Sequence, residues 1–272
     1  MTLNISPTAD NLYIGAGDIY LDKHVSDART GYFHVGNVEL YATNTADTLL
    51  EKYSSMRAAR PLYARRLQRR LVTLKLQFDE FSYRNMELLM MADSVDYTQA
   101  ASAVTSEVLF ANVPAATLGA ALGGKSFKVA KIGAISAVTV EVGAATAVLN
   151  TDYTVDLTRG VITILAASTV TTNGADDLTI DYTPAAVTAG QAKTIRGGTQ
   201  NFIEVSGLFV PDPTTGPKFQ LEFWNGAVAP DGDLNFISTD FSNASISIAL
   251  QDDSAGAFGG SSASPLYSII QY

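Results

Sequence analysis

Alternation is clearest in Leu71–Phe78, where Val72, Leu74, Leu76 and Phe78 share one side and Thr73, Lys75 and Gln77 the other. That period of two predicts a half-buried strand. A shorter alternating run, Asp18–Asp22, follows the turn Gly15-Ala16-Gly17 and predicts another. Tyr32–Val35 and Val38–Tyr41 flank Gly36-Asn37 and read as a hairpin with a two-residue turn. The period changes after Phe78. Ser82 offers a cap, Glu87 sits in the early turns, and Met86, Leu89 and Met90 form an i, i+3, i+4 stripe. A short helix ending near Ala92 should therefore pack on a sheet. Late strands are expected near Phe202–Phe209, Phe219–Trp224, Leu234–Ser238 and Ala244–Leu250, with Gly226, Pro230-Asp231-Gly232 and Asn243 in the turns. The apolar end Leu266–Ile270 follows a Gly/Ser/Ala-rich stretch, 254–264, read as a flexible segment or an extended arm.

Composition then divides the chain. Residues 112–193 run on Ala, Thr, Val and Gly. Of the 12 Phe, 12 Tyr and single Trp, only Phe127, Tyr153 and Tyr182 fall there, and none of the 5 Met does. Short strands are expected at Val138–Val142, Tyr153–Asp156, Val161–Leu165 and Leu178–Tyr182, with Thr158-Arg159-Gly160 as a turn and no helical period. This is the pattern of a small β-sandwich. The expected organisation is a discontinuous host domain, 1–111 with 194–272, carrying an inserted β-domain at 112–193. A prior of about 150 residues per domain allows one or two domains at this length. An insertion survives in an exposed loop whose ends are neighbours, because the host core need not be rebuilt. The expected fold class is mainly β, with one short α-helix in the host.

The formal net charge is −9 and 17% of residues are charged, low for a soluble monomer. Neighbours covering the exterior would explain that. The signs are unevenly spread: Lys52–Lys75 holds eight basic residues and no acid, whereas residues 201–272 hold eight acids and Lys218 as the only base. Overall acidity argues against DNA binding as the function, since such affinity comes mostly from neutralising phosphates. The stretch 43–70 is too long for a simple hairpin loop, and Tyr53, Met56, Leu62 and Tyr63 among its arginines predict a docked loop. Three readings fit the basic run: nucleic-acid contact through interleaved Tyr and Arg, a solvated positive loop, or contact with the acidic C-terminal portion of another copy. The third ranks first, because opposite patches on one chain favour head-to-tail contacts that close into rings or extend as filaments. Asp231, Asp233, Asp252 and Asp253 are the expected acidic partners.

Candidate chemistry is sparse. With 0 Cys, neither disulfides nor thiolate metal sites are possible, and compartment cannot be read from redox chemistry. The opening Met1-Thr2-Leu3-Asn4-Ile5-Ser6-Pro7 lacks a basic and then an apolar region, so no export signal is expected. No run of about 18 apolar residues occurs, so a soluble protein without an ordinary membrane span is expected. Gly119–Ser126 matches the phosphate-loop pattern G-x-x-x-x-G-K-S letter for letter. That chemistry needs a buried strand before the loop and a long helix after it. Here Pro114 interrupts the approach, and Phe127–Gly133 alternates and then breaks, so a glycine-rich loop is expected. Gly15-Ala16-Gly17 lacks the third glycine of a dinucleotide site. Neither His24 nor His34 has a second ligand at metal spacing, and His34, on an apolar strand, should be packed. Asp176-Asp177 and Asp252-Asp253 lack the spacing of a calcium loop and read as solvated turns. No enzyme, cofactor or metal site is expected.

Three segments in order, Gly31-Tyr-Phe-His-Val-Gly-Asn-Val-Glu-Leu40, Leu50-Glu-Lys-Tyr-Ser-Ser55 and Glu80-Phe-Ser-Tyr-Arg-Asn-Met-Glu-Leu88, resemble the tail tube proteins of tailed bacteriophages. Phe223-Trp-Asn-Gly226 and Pro230-Asp-Gly-Asp-Leu-Asn-Phe-Ile-Ser238 are similar to their late strands. The insert looks like the immunoglobulin-like β-modules that such proteins carry. The resemblance covers most of the host domain and implies a tail-tube-type β-sandwich or barrel. It implies hexameric rings whose sheets join into an inner β-barrel, stacked head to tail as a hollow conduit for genome delivery. Double-stranded DNA would pass through without specific binding, along an acidic or weakly charged wall that does not hold phosphate. Implied partners are other copies of the chain and the terminator, distal tail and tape measure proteins; the implied location is the virion tail, assembled in the host cytoplasm. The long early loop would reach the adjacent ring, which makes Arg57, Arg60, Tyr63, Arg65, Arg66, Arg69 and Arg70 the expected inter-ring contact. The alternatives are a related tail component, such as a distal ring or tube terminator, and a receptor- or glycan-binding adhesin. The insert offers few aromatic faces for the latter.

Overall fold

The computed structural model describes residues 12–56 and 58–272. Met1–Pro7, read above for an export signal, and Arg57 lie outside the described residues. In chain order the elements are β1 (Gly17–Lys23), β2 (Phe33–His34), β3 (Val38–Tyr53), β4 (Leu62–Phe78), α1 (Tyr83–Leu89), β5 (Asp93–Asp96) and β6 (Val104–Phe110). There follow α2 (Leu118–Leu122), β7 (Ser126–Lys128), β8 (Ile135–Val142), β9 (Ala145–Thr146), β10 (Tyr153–Asp156), β11 (Val161–Ile164) and β12 (Leu178–Pro184). The last are β13 (Lys193–Arg196), β14 (Glu204–Pro211), β15 (Phe219–Pro230), β16 (Ala244–Leu250) and β17 (Tyr267–Gln271). The protein is mainly β and falls into two compact units. One takes the described residues up to Ser94 with Ile195–Tyr272; the other is Val95–Thr194.

The first unit is built on an eight-stranded antiparallel sheet, ordered β2-β1-β14-β15-β16-β4-β3, with β17 also on β15. β2 and β3 end opposite edges of that order, yet only Val35, Gly36 and Asn37 separate them in the chain. At full extension the Cα atoms of His34 and Val38 can be at most about 14 Å apart. The sheet must therefore roll until its two edges approach. Its inner face buries Ile19, Leu21, Leu74, Leu76, Phe78 and Ile248, among others, with Leu88 of α1. Ser82 caps α1 by accepting from the Asn85 N–H at 3.2 Å.

The hairpin expected at Tyr32–Tyr41 does not form. β2 pairs with β1 (Tyr20 opposite His34), and β3 pairs with β4. Gly36, at φ +99°, turns the chain across the sheet's open side rather than back on itself. Asn85 fastens this corner by donating to the Val35 carbonyl at 2.6 Å and the Glu80 carbonyl at 2.8 Å. Gly226 is not a turn either. It lies inside β15, where a Cβ would meet Ile248 Cγ2 at 2.5 Å, so its small size serves strand packing. Leu234–Ser238 forms no strand but part of the loop between β15 and β16. Nor is 254–264 a loose arm: the Asp253 carboxylate accepts from the N–H groups of Ala257 (2.8 Å), Phe258 (3.0 Å) and Gly260 (2.8 Å), and the segment curls around it. Its glycines supply positive φ at Gly256 and Gly259, which is why the composition looked disordered.

In the second unit, a three-stranded sheet (β10-β11-β7) and a four-stranded sheet (β6-β12-β8-β9) share one core. Val140, Tyr153, Ile162, Ile164, Leu178, Ile180 and Tyr182 fill it. The unit begins at Val95, not at the composition change at Asn112, because β6 pairs with β12. It also contains a second helix, α2, where none was expected; Thr117 caps it by accepting from the Ala120 N–H at 3.3 Å. The chain enters and leaves through β5 and β13, which pair with each other.

Candidate functional site

The stretch 43–70 is not a docked loop. It is the outer part of a long antiparallel ribbon, β3 with β4, turned at Ser54–Pro61. Pairing of β4 with β16 ends at Thr73, and from Arg70 to Leu62 the only strand beside β4, among the described residues, is β3. At about 3.3 Å per residue, the ribbon runs roughly 25 Å past the sheet. Nearly every residue along it is exposed on both faces. Leu50 is 61% exposed, Tyr63 75% and Met56, in the turn, 92%.

Residues directly opposite share a face, so the register sorts the side chains. One face carries Asp47 with Arg70, Leu49 with Leu67, Glu51 with Arg65 and Tyr53 with Leu62. Its charges cancel within the ribbon. Arg70 grips Asp47 in a two-point contact (Nε–Oδ1 2.9 Å, Nη2–Oδ2 3.0 Å), and Arg65 Nε lies 3.3 Å from Glu51 Oε1. The hydrogen bond from Arg70 holds the Asp47 carboxyl below the usual carboxylate range. The Glu51 carboxylate, accepting from the Tyr53 hydroxyl at 2.8 Å, pushes that phenol up. The other face carries Thr48 with Arg69, Leu50 with Arg66 and Lys52 with Ala64. Among the described residues, Arg66, Arg69 and Lys52 have no acidic partner there. Register shifts at Thr48/Leu49 and Lys52/Tyr53 leave Gln68 and Tyr63 unpaired and add twist.

The residues expected to make the contact are thus brought onto one ribbon but divided by it. Arg65 and Arg70 are occupied within the ribbon; Arg66 and Arg69 present charge; Arg60 sits in the turn at φ +41°, and Tyr63 projects from a bulge. Arg57 lies outside the described residues. Leu49 and Leu67 on one face of the ribbon and Leu50 on the other were not anticipated, although Asp47 and Glu51 upstream of the arginines were a readable sign of cross-strand pairing. The expected acidic partners change as well. Asp253 is 4% exposed and saturated by backbone donors, Asp231 is bonded to Lys75 at 2.9 Å, and Asp252 accepts from Ser254. Asp233 remains open to solvent.

Among the described residues no other motif gathers into a site. At Gly119–Ser126, α2 covers the early positions, Ser126 opens β7, and Lys125 Nζ turns back to the Ala121 carbonyl at 3.4 Å. His34 is exposed and lies 3.3 Å from Asp18, the reverse of the packed side chain expected. Among the described residues no group of three or more His, Asp or Glu is placed to hold a metal ion, and no helix is long and apolar enough to cross a membrane.

A family model described as "Protein of unknown function UCP028589" matches residues 12–263. No curated protein matches the chain.

Proposed function

We propose that this chain, which belongs to the family of proteins of unknown function matched above, is a structural subunit of a bacteriophage tail tube. In this reading copies assemble as hexameric rings, and the rings stack into a hollow conduit for the genome. The observation that carries it is the β3–β4 ribbon. A two-stranded ribbon exposed on both faces is marginal in water, and this one displays leucines, tyrosines and unneutralised arginines together. Such a surface is completed by a neighbour. The ordered resemblance of the flanking segments to tail tube proteins supports another copy as that neighbour. The net charge of −9 suits a wall along which DNA slides without being held. Virion location and the other tail proteins as partners follow from the same reading.

Negative-stain microscopy of the purified full chain tests it. Rings or hollow rods are the expected result. A monodisperse monomer at every concentration and ionic strength would overturn the assignment.

A further inference from the structure

The loop between β15 and β16 exposes three large apolar side chains in one short stretch: Phe236 is 77% exposed, Ile237 96% and Phe241 93%. Side chains of this size are seldom left in water together unless something covers them. Beside them lies a cavity of about 370 Å³, lined by Phe81, Met86, Leu234, Asn235, Phe236 and Ser242. The surroundings are acidic. Asp233 and Asp240 are exposed within the loop, and no Lys or Arg occurs after Lys218. Among the described residues, the one basic side chain bonded into the loop, Lys75, is neutralised by Asp231 at 2.9 Å.

The register fixes where this loop sits. Its end runs into β16, whose first residue, Ala244, lies opposite Phe78, the last residue of β4. Asp231 N–H donates to the Ser245 carbonyl at 2.9 Å, so both ends of the loop are held at that edge. The ribbon's turn, Ser54–Pro61, is at the other end of the same strand. From Phe78 to Leu62 is roughly 50 Å of extended chain, too far for the turn to reach the loop of its own molecule. One unit therefore carries a basic, apolar protrusion at one end and an acidic, apolar seat at the other. Complementary surfaces at opposite ends of identical molecules make a head-to-tail contact, and charge of opposite sign orients it.

We infer that the Phe236–Ile237–Phe241 loop is the seat for the β3–β4 ribbon of a second copy, with Leu50, Met56 and Tyr63 against its apolar side chains and Arg66 and Arg69 towards Asp233 and Asp240. This deepens the assembly reading and rests on it for the identity of the occupant.

The chain has 0 Cys, so introduced thiols report unambiguously. Met56→Cys and Ile237→Cys place one thiol on the ribbon's turn and one in the seat, both at positions too exposed to disturb a core. Mixed and oxidised, the two single variants should give a disulfide-linked dimer containing one copy of each. The double variant should give a ladder of linked multimers, and neither single variant should give one. If the double variant forms rings or rods by microscopy but no ladder, the seat is elsewhere and the tube reading survives. A ladder without rings or rods keeps the seat and removes the tube. A disulfide closed within one copy, or neither ladder nor assembly, overturns the inference outright.

Discussion

His24 is 8% exposed, and among the described residues neither of its ring nitrogens has a hydrogen-bond partner. Its ring lies flat on Phe258, with centroids 4.1 Å and planes 8° apart, so packing rather than polarity keeps it inside. Burial disfavours the charged ring and holds its pKa below the ordinary 6.5, against the attraction of Asp22, Glu204 and Asp253 and with Arg29 reinforcing the effect. The unfolded chain therefore takes up this proton first as the pH drops. Stability from His24 is fully present above pH 6.5 and is lost as the pH falls below it. Asp22 acts in a lower window. Burial alone would raise its pKa, but Arg29, Thr30 and Gly31 donate to it and hold it below 3.8. Urea midpoints for the wild type should decline as the pH moves from 6.5 towards 3.8, and His24→Phe should flatten the decline. An equal decline in the variant would assign the acid sensitivity to other groups. Sequence alternation placed His34 on a strand but picked the wrong histidine to bury. Which side of a strand is inside depends on its neighbours, and β2 lies against β1 at the sheet edge rather than in a hairpin with β3. Asp253, expected in a solvated turn, is buried for a related reason: the donors that desolvate it come from residues downstream that look like a loose tail.

At the scale of elements, strands buried on one face were legible and the ribbon was not. Leu71–Phe78, Tyr153–Asp156 and Ala244–Leu250 alternate because one side of each meets a core, and the structure has strands there. The outer parts of β3 and β4 meet no core, so no period of two marks them, and two bulges shift what alternation remains. Their charges look like one basic run in the sequence, whereas folding separates them into a neutralised face and a positive one. This division makes a sharper test of assembly than reversing every arginine. Arg66→Glu with Arg69→Glu alters only the unpaired face, and should shorten or abolish rods while leaving the subunit folded. Arg65→Glu with Arg70→Glu instead sets like charges against Glu51 and Asp47. That pair should loosen the ribbon itself and weaken assembly. A single exposed ion pair contributes about 0–1 kcal/mol, so no one arginine should suffice. Wild-type rods should shorten as salt rises, since about 1 M salt reduces the screening length to roughly 3 Å. If the Arg66/Arg69 variant polymerises like the wild type, the positive face is only a solvated surface.

For the whole molecule, the composition change identified a second body of chain but placed its start too late. Residues 112–193 are poor in aromatics, whereas β6, just upstream, ends in Phe110 and looks like host sequence. Its pairing with β12 is interrupted by register shifts, which also hides its alternation. The boundary at Val95 decides where the chain can be cut. Removing residues 115–190 would take away β12 and leave β6 without the strand it pairs with, exposing Val104, Leu109 and Phe110, which pack against that unit's core. Such a deletion should give insoluble protein. Its failure would say nothing about whether the unit is separable. A cut at 97–192 is different. The Tyr97 N–H donates to the Ala192 carbonyl at 3.0 Å, and Lys193 Nζ lies 2.8 Å from Asp96 Oδ1, so the two cut ends already stand side by side. Bridging them with about four Gly/Ser residues closes a short loop, and each doubling of loop length costs only about 0.6 kcal/mol. The core of the first unit draws none of its buried residues from the excised segment. The shortened chain should therefore unfold cooperatively and still form rings or rods by microscopy. Soluble, folded protein that no longer assembles would instead make the second unit part of the contact between copies. Loss of the fold itself would show that the two units are not independent bodies of chain.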